Sequence, residues 1–124
     1  MQGSQRLQDW IKGGETRRLA GYEVFVRTAV TPGRPPLLLI HGYPTASYDW
    51  VRVWPRLAAR YSLYALDLLG FGLSAKPVDT DYPIGLQADL CMALLDDAGV
   101  TNAHVLAHDY GDTVAQELLA RERE

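Results

Sequence analysis

At 124 residues, 48% hydrophobic and 22% charged, the chain has the length and composition of one globular domain able to bury a core. A net charge of −3 with both signs interspersed gives no basic patch, so nucleic acid and anionic membrane are not expected partners. The single cysteine, Cys91, cannot form an internal disulfide, and residues 1–12 (MQGSQRLQDWIK) lack the apolar run of a signal peptide or membrane span, so a cytoplasmic address is expected.

Residues 15–29 (ETRRLAGYEVFVRTA) alternate around Val24 and Val26 and break at Gly21, which predicts a short antiparallel strand pair at a sheet edge. TPGRPP, residues 31–36, is a turn. LLLIHG, residues 37–42, opens with a continuous apolar run, as in a strand covered on both faces, and implies a parallel sheet with helices on each side. From Ser47 the apolar residues Trp50, Val53, Trp54 and Leu57 follow an i, i+3, i+4, i+7 spacing, so a helix with that stripe against the sheet is predicted. YSLYALDLLG, residues 61–70, begins as a second buried strand and runs into the loop GFGLSAKPVDTDYP.

A helix is predicted over about residues 84–98, with Cys91, Leu94, Leu95 and Ala98 on one side, Gly99 as its left-handed cap and Val100 as the apolar residue after it. HVLAH, residues 104–108, is the next strand, and Val114, Ala115, Leu118 and Leu119 mark one face of a last helix ending in RERE. The order βββαβαβα builds a predominantly parallel α/β sheet with right-handed crossovers. No internal repeat or linker interrupts it.

In such sheets the ligand site lies beyond the carboxyl ends of the strands. Three glycine-bearing segments fall there: HGYPT, DLLGFGLS and HDYGDT. The third reads small-x-nucleophile-x-small, from Ala107 through Asp109 to Gly111. A strand turning sharply into a helix leaves no room for side chains two residues either side of the apex. Where serine stands at that apex it must lose a proton as it attacks. A carboxylate, with a reference pKa of about 3.9, is already ionised at neutral pH. Asp109 attacking carbon forms an ester, chemistry that suits epoxides or alkyl halides. The ester is released by a water that a histidine activates, and the resulting oxyanion is held by backbone N–H groups of Tyr110 and Tyr43.

HGYPTASYDW, LDLLGFGLSAKP and HDYGDTVAQELLAR together resemble the α/β-hydrolase superfamily, in its epoxide hydrolase and haloalkane dehalogenase branch. Within that branch the chain resembles the mesoderm-specific transcript family of epoxide-hydrolase-like proteins, where HGxPTSSYDW, GFGxSxKP and HDYGDxVAQELL occur in the same order. The likeness runs from about Leu7 to Arg121. It implies Asp109 as nucleophile, Tyr43 and Tyr110 as oxyanion-hole donors, and a cis bond before Pro44. His41, Gly42, Asp67 and Gly111 complete the site loops, with Asp67 anchoring its loop by hydrogen bonds rather than working as an acid or base. Haloalkane dehalogenases typically carry asparagine after HG and tryptophan after the nucleophile. Tyr43 and Tyr110 stand there in this chain, which ranks an epoxide-like electrophile above a halide.

Family members continue with further strands, a helical cap, a catalytic acid and a late histidine. Residues 1–124 are therefore expected to be a truncated α/β-hydrolase core domain without its cap. His41, His104 and His108 all precede Asp109, and none matches the base position. His108 is expected to be a buried, hydrogen-bonded histidine rather than a base, because neighbours along a strand point to opposite faces. His104 and His108 are spaced HxxxH, a zinc pattern only on a helix, so no metal is expected, and no cofactor. GFG lacks the third glycine of a dinucleotide loop. Cys91 is read as a small hydrophobe and Trp50 and Trp54 as core anchors.

Two functions compete on this sequence. One is a hydrolase of the aspartate-nucleophile type, acting on a small electrophilic substrate and stalling at the ester for want of a base. The other is a non-catalytic remnant or interaction module that pairs the exposed edge at residues 104–108 with another chain, itself included.

Overall fold

The computed structural model describes residues 2–122. Five strands form one sheet: β1 (Gly14–Leu19), β2 (Tyr22–Ala29), β3 (Pro36–Ile40), β4 (Ser62–Leu66) and β5 (His104–Ala107), in the spatial order β1-β2-β4-β3-β5. β1 and β2 are the predicted hairpin, and β2 runs antiparallel to β4. β4, β3 and β5 are mutually parallel, with Leu39 opposite Ala65 on one side and Leu106 on the other.

Alternation along the strands divides the core in two. Leu38, Ile40, Tyr64, Leu66, Val24 and Val26 face the helices α3 (Ile84–Asp97) and α4 (Tyr110–Glu122), where they meet Leu90, Cys91, Leu94 and Val114. Leu37, Leu39, Leu63, Ala65 and Phe25 face the opposite way, onto Trp10, Trp50 and Trp54. The uninterrupted apolar run of β3 is thus explained: both faces are covered, and Leu38, Leu39 and Ile40 are fully buried. β3 connects to β4 across one face and β4 to β5 across the other. Crossovers that diverge in this way open a crevice at the carboxyl ends of the strands.

Three expectations are corrected. An N-terminal helix, α1 (Gln2–Lys12), precedes the predicted order. Its inward residue Trp10 stacks edge-on against Trp54 at 4.9 Å, while Arg27 covers its ring and donates to its carbonyl oxygen. The predicted helix from Ser47 is instead a 3-10 turn at Ser47–Trp50 followed by α2 (Trp54–Ala58). Pro55 has no N–H to donate back to Val51, so helix cannot run through it and must restart there. Trp50 and Trp54 are still buried, but Val53 is 41% exposed. Finally, Leu119 is exposed and Ala98 caps α3 in solvent, so the apolar faces of both helices are narrower than their sequence stripes.

The cap of α3 follows the sequence reading closely. Gly99, at φ 70°, donates to Asp96 O and Val100 donates to Leu95 O, the paired bonds of a Schellman motif. At the far end of α4, Arg121 binds back to α3 through Asp89 (2.8 Å) and Gly85 O (3.0 Å). Arg123 and Glu124, the last two residues of the polar RERE end, lie outside the described residues.

Candidate active site

Asp109 follows His108 in the two-residue link between β5 and α4, with φ at 59°, a left-handed conformation that costs a non-glycine residue energy. The chain makes this turn against the end of β3. A Cβ on Gly111 would come 2.4 Å from Ile40 O and 2.6 Å from His41 O, and one on Gly42 would come 2.7 Å from Asp109 Cβ. The small residues in HG and DYG are therefore required by backbone packed on backbone.

Asp109 precedes the first helical residue of α4, yet it is not an ordinary helix cap. A capping side chain accepts from the second or third helical N–H. Here those N–H groups, on Gly111 and Asp112, go to the backbone oxygens of His108 and Asp109. The Asp109 Oδ1 instead accepts from Tyr110 N at 2.6 Å and, across the crevice, from Tyr43 N at 3.2 Å. These two bonds hold the carboxyl below the usual carboxylate range, because both donors favour the ionised form. Oδ2 accepts no hydrogen bond among the described residues, and the side chain is exposed. The peptide bond between Tyr43 and Pro44 is cis.

The loop after β4 supports this arrangement from one layer away. Asp67 is buried and accepts from Ser47 N (2.8 Å) and Leu73 N (2.9 Å), so it fastens the β3 and β4 loops together. Gly72 leaves the room for it, since a Cβ there would sit 2.2 Å from Asp67 Oδ2. His41, fully buried, accepts from Leu68 N at Nε2 (2.9 Å) and bonds Gly42 O through Nδ1 (2.8 Å). Burial lowers its pKa. Phe71 packs edge-on to His41 and Tyr43 and lies tilted against Tyr110.

The structure thus brings Asp109, Tyr43, Tyr110, Gly42 and Gly111 to one point, with His41 and Asp67 behind them. Phe71, Ser47, Ser74 and Gln87 were not found by sequence reasoning. Gln87 is fully buried and clamps both the N–H and the C=O of Leu69, each at 2.9 Å. Its signal was a lone amide on the apolar face of α3. Ser74 holds Phe25 N and Asp67 O.

One expectation about the histidines is overturned. His108 is exposed, not buried, because it lies past the end of an edge strand with no neighbour on its outer side. It makes no hydrogen bond to Asp109 among the described residues, although its charge also lowers the Asp109 pKa. His104 packs against Tyr61 near the opposite end of β5. Among the described residues no group of three or more His, Cys, Asp or Glu is placed to hold a metal ion. Cys91 is buried and its thiol is pushed up to about 12 by desolvation, which leaves it inert.

Residues 35–124 match the family model described as the alpha/beta hydrolase fold. The chain belongs to that family. It is 43% identical over 123 residues to the mesoderm-specific transcript homolog protein of Homo sapiens, a match covering 95% of this chain and 37% of that protein. A haloalkane dehalogenase, the DbeA-M1 loop variant from Bradyrhizobium elkanii, superposes with a TM-score of 0.80 at 35% identity, over 89% of this chain and 36% of that one. A bacterial membrane phospholipase A superposes at 0.85 with 30% identity, over 98% of this chain and 40% of that one. The chain therefore spans a little over a third of the length of these hydrolase-fold relatives. No helix among the described residues is long and apolar enough to cross a membrane.

Proposed function

We propose that this alpha/beta hydrolase chain carries the nucleophilic half of an aspartate-type hydrolase, with Asp109 as the attacking group. The observation that carries this reading is the direction of the Asp109 side chain. It turns away from the N–H groups an ordinary cap would serve and places Oδ1 between Tyr43 N and Tyr110 N. With Oδ1 held, Oδ2 is the attacking oxygen. It forms a bond to the electrophilic carbon of an epoxide as the ring C–O bond breaks, and the departing alkoxide takes a proton from water. The product is a β-hydroxyalkyl ester of Asp109 whose carbonyl oxygen, Oδ1, already sits between two donors. Attack of water on that carbonyl develops negative charge on Oδ1, which the N–H groups of Tyr43 and Tyr110 are placed to stabilise.

An epoxide-like substrate is preferred over a haloalkane because tyrosines 43 and 110 stand where haloalkane dehalogenases typically place asparagine and tryptophan as halide donors. We infer that none of the three histidines serves as the base for the hydrolytic water, although His108 Nδ1 lies beside Gly42, near the Asp109 side chain. His41 has both ring nitrogens engaged, His104 packs on Tyr61, and His108 is not bonded to Asp109. The 124-residue chain therefore accumulates the ester. Intact-mass spectrometry after incubation with a small reactive epoxide should show one persistent adduct per chain, formed more readily than with the matching alkyl bromide. Sustained multiple turnover would show that a base is present after all, and an unmodified chain would remove Asp109 from the nucleophile role.

A further inference from the structure

The N–H of Tyr43 points at Asp109 only if the Gly42–Tyr43 peptide is held at one rotation. A trans peptide is planar, so its C=O and N–H point in opposite directions and whatever pins one pins the other. The C=O of Gly42 is unusually well held. It accepts from Thr45 N at 3.2 Å, faces Thr45 Oγ1 at 3.2 Å, and lies 2.8 Å from His41 Nδ1. The other ring nitrogen, Nε2, faces Leu68 N, an obligate donor, at 2.9 Å. Nε2 must therefore be the acceptor, and the proton must sit on Nδ1. The ring is fully buried, braced by Phe71 at 5.2 Å, and so has no alternative partner in water.

We propose that His41 is a positioning residue for the oxyanion hole: as the neutral Nδ1–H tautomer it clamps the Gly42–Tyr43 peptide to the loop after β4 and so aims the Tyr43 N–H at position 109. This rests on the assignment of Asp109 as nucleophile for its catalytic meaning, but its geometry is independent of that assignment. Histidine alone among the side chains offers a rigid donor and acceptor on opposite sides of one ring. Leucine fills part of the space and offers neither. Asparagine restores a donor near Nδ1 and lacks the acceptor at Nε2.

Two measurements on the 124-residue chain test this. Nitrogen-15 shifts of the imidazoles in the unsubstituted protein should show His41 neutral, protonated at Nδ1 and unprotonated at Nε2. The opposite tautomer overturns the proposal, and no variant is needed to see it. Carboxyl carbon-13 titration of Asp109 is then compared in the unsubstituted chain, His41→Leu and His41→Asn, each checked for a native-like amide spectrum. The Asp109 midpoint should move up in His41→Leu and move up less in His41→Asn, which keeps the donor but loses the tie to Leu68 N. A folded leucine variant with an unmoved midpoint, or an asparagine variant no better than leucine, overturns the role. Failure of the epoxide adduct with these NMR results intact would remove the nucleophile assignment and leave the positioning role standing.

Discussion

Asp109 combines a strained backbone, a carboxylate oxygen bound by two N–H groups and a second oxygen left free. Its pKa is depressed from 3.8 chiefly by the Tyr43 and Tyr110 bonds. The sign of the pH dependence follows. The ionised form is favoured in the folded chain, so these bonds stabilise the fold fully above the unfolded-chain pKa and are lost only as pH falls through the lower folded value. Epoxide alkylation should accordingly be flat through neutrality and keep most of its rate at the pH where an ordinary aspartate is half protonated. A rate already halved there would contradict the two-donor geometry. Gly111 supplies a second test. Alanine in a helix is favoured over glycine by about 1 kcal/mol, but here the new methyl meets two backbone oxygens that cannot swing away. Forced overpacking of this kind costs about 1–3 kcal/mol. Gly111→Ala should therefore lower the urea midpoint, and a raised midpoint would show that the elbow has space to spare.

The elements that were legible in the sequence are those whose apolar pattern is dictated by a covered surface. β3 and β4 are buried on both faces and read as unbroken runs, and Gly99 with Val100 announced the end of α3. What could not be read depended on partners distant in the chain. α1 carries only Leu7, Trp10 and Ile11 at helical spacing, a weak stripe whose meaning comes from Trp54 and Arg27. At the site, HG, GFG and HDYG marked the correct strand ends. The clamps made by His41, Gln87 and Ser74 could not be seen, because each joins a side chain to backbone in another segment. Trp10 gives the element-scale prediction. Removing a buried tryptophan typically costs about 3–5 kcal/mol, a large share of the roughly 5–15 kcal/mol that holds a domain together. Trp10→Ala should lower the unfolding free energy by about 3 kcal/mol and reduce the helical circular dichroism. A loss below about 1 kcal/mol would mean that α1 is not fastened to the sheet as described.

At the scale of the whole sheet, β5 is one edge among the described residues, and there Val105 and Leu106 are 44% and 38% exposed. An apolar edge with unpaired ladder groups is a template for another strand. We therefore expect the 124-residue chain to associate as its concentration rises, and Val105→Lys to shift it toward monomer in sedimentation velocity. A monomer at all concentrations would count against both the open edge and the alternative in which this surface, rather than Asp109, carries the chain's role. The site and the edge meet at the end of β5, so the decisive question is which group reacts. Peptide mapping of the epoxide-treated chain by tandem mass spectrometry answers it most directly. The account predicts a single modification, an ester on Asp109 within LAHDYGDT, absent from Asp109→Asn. An adduct on Asp67, Asp112 or another carboxylate, or one that persists in Asp109→Asn, would contradict it.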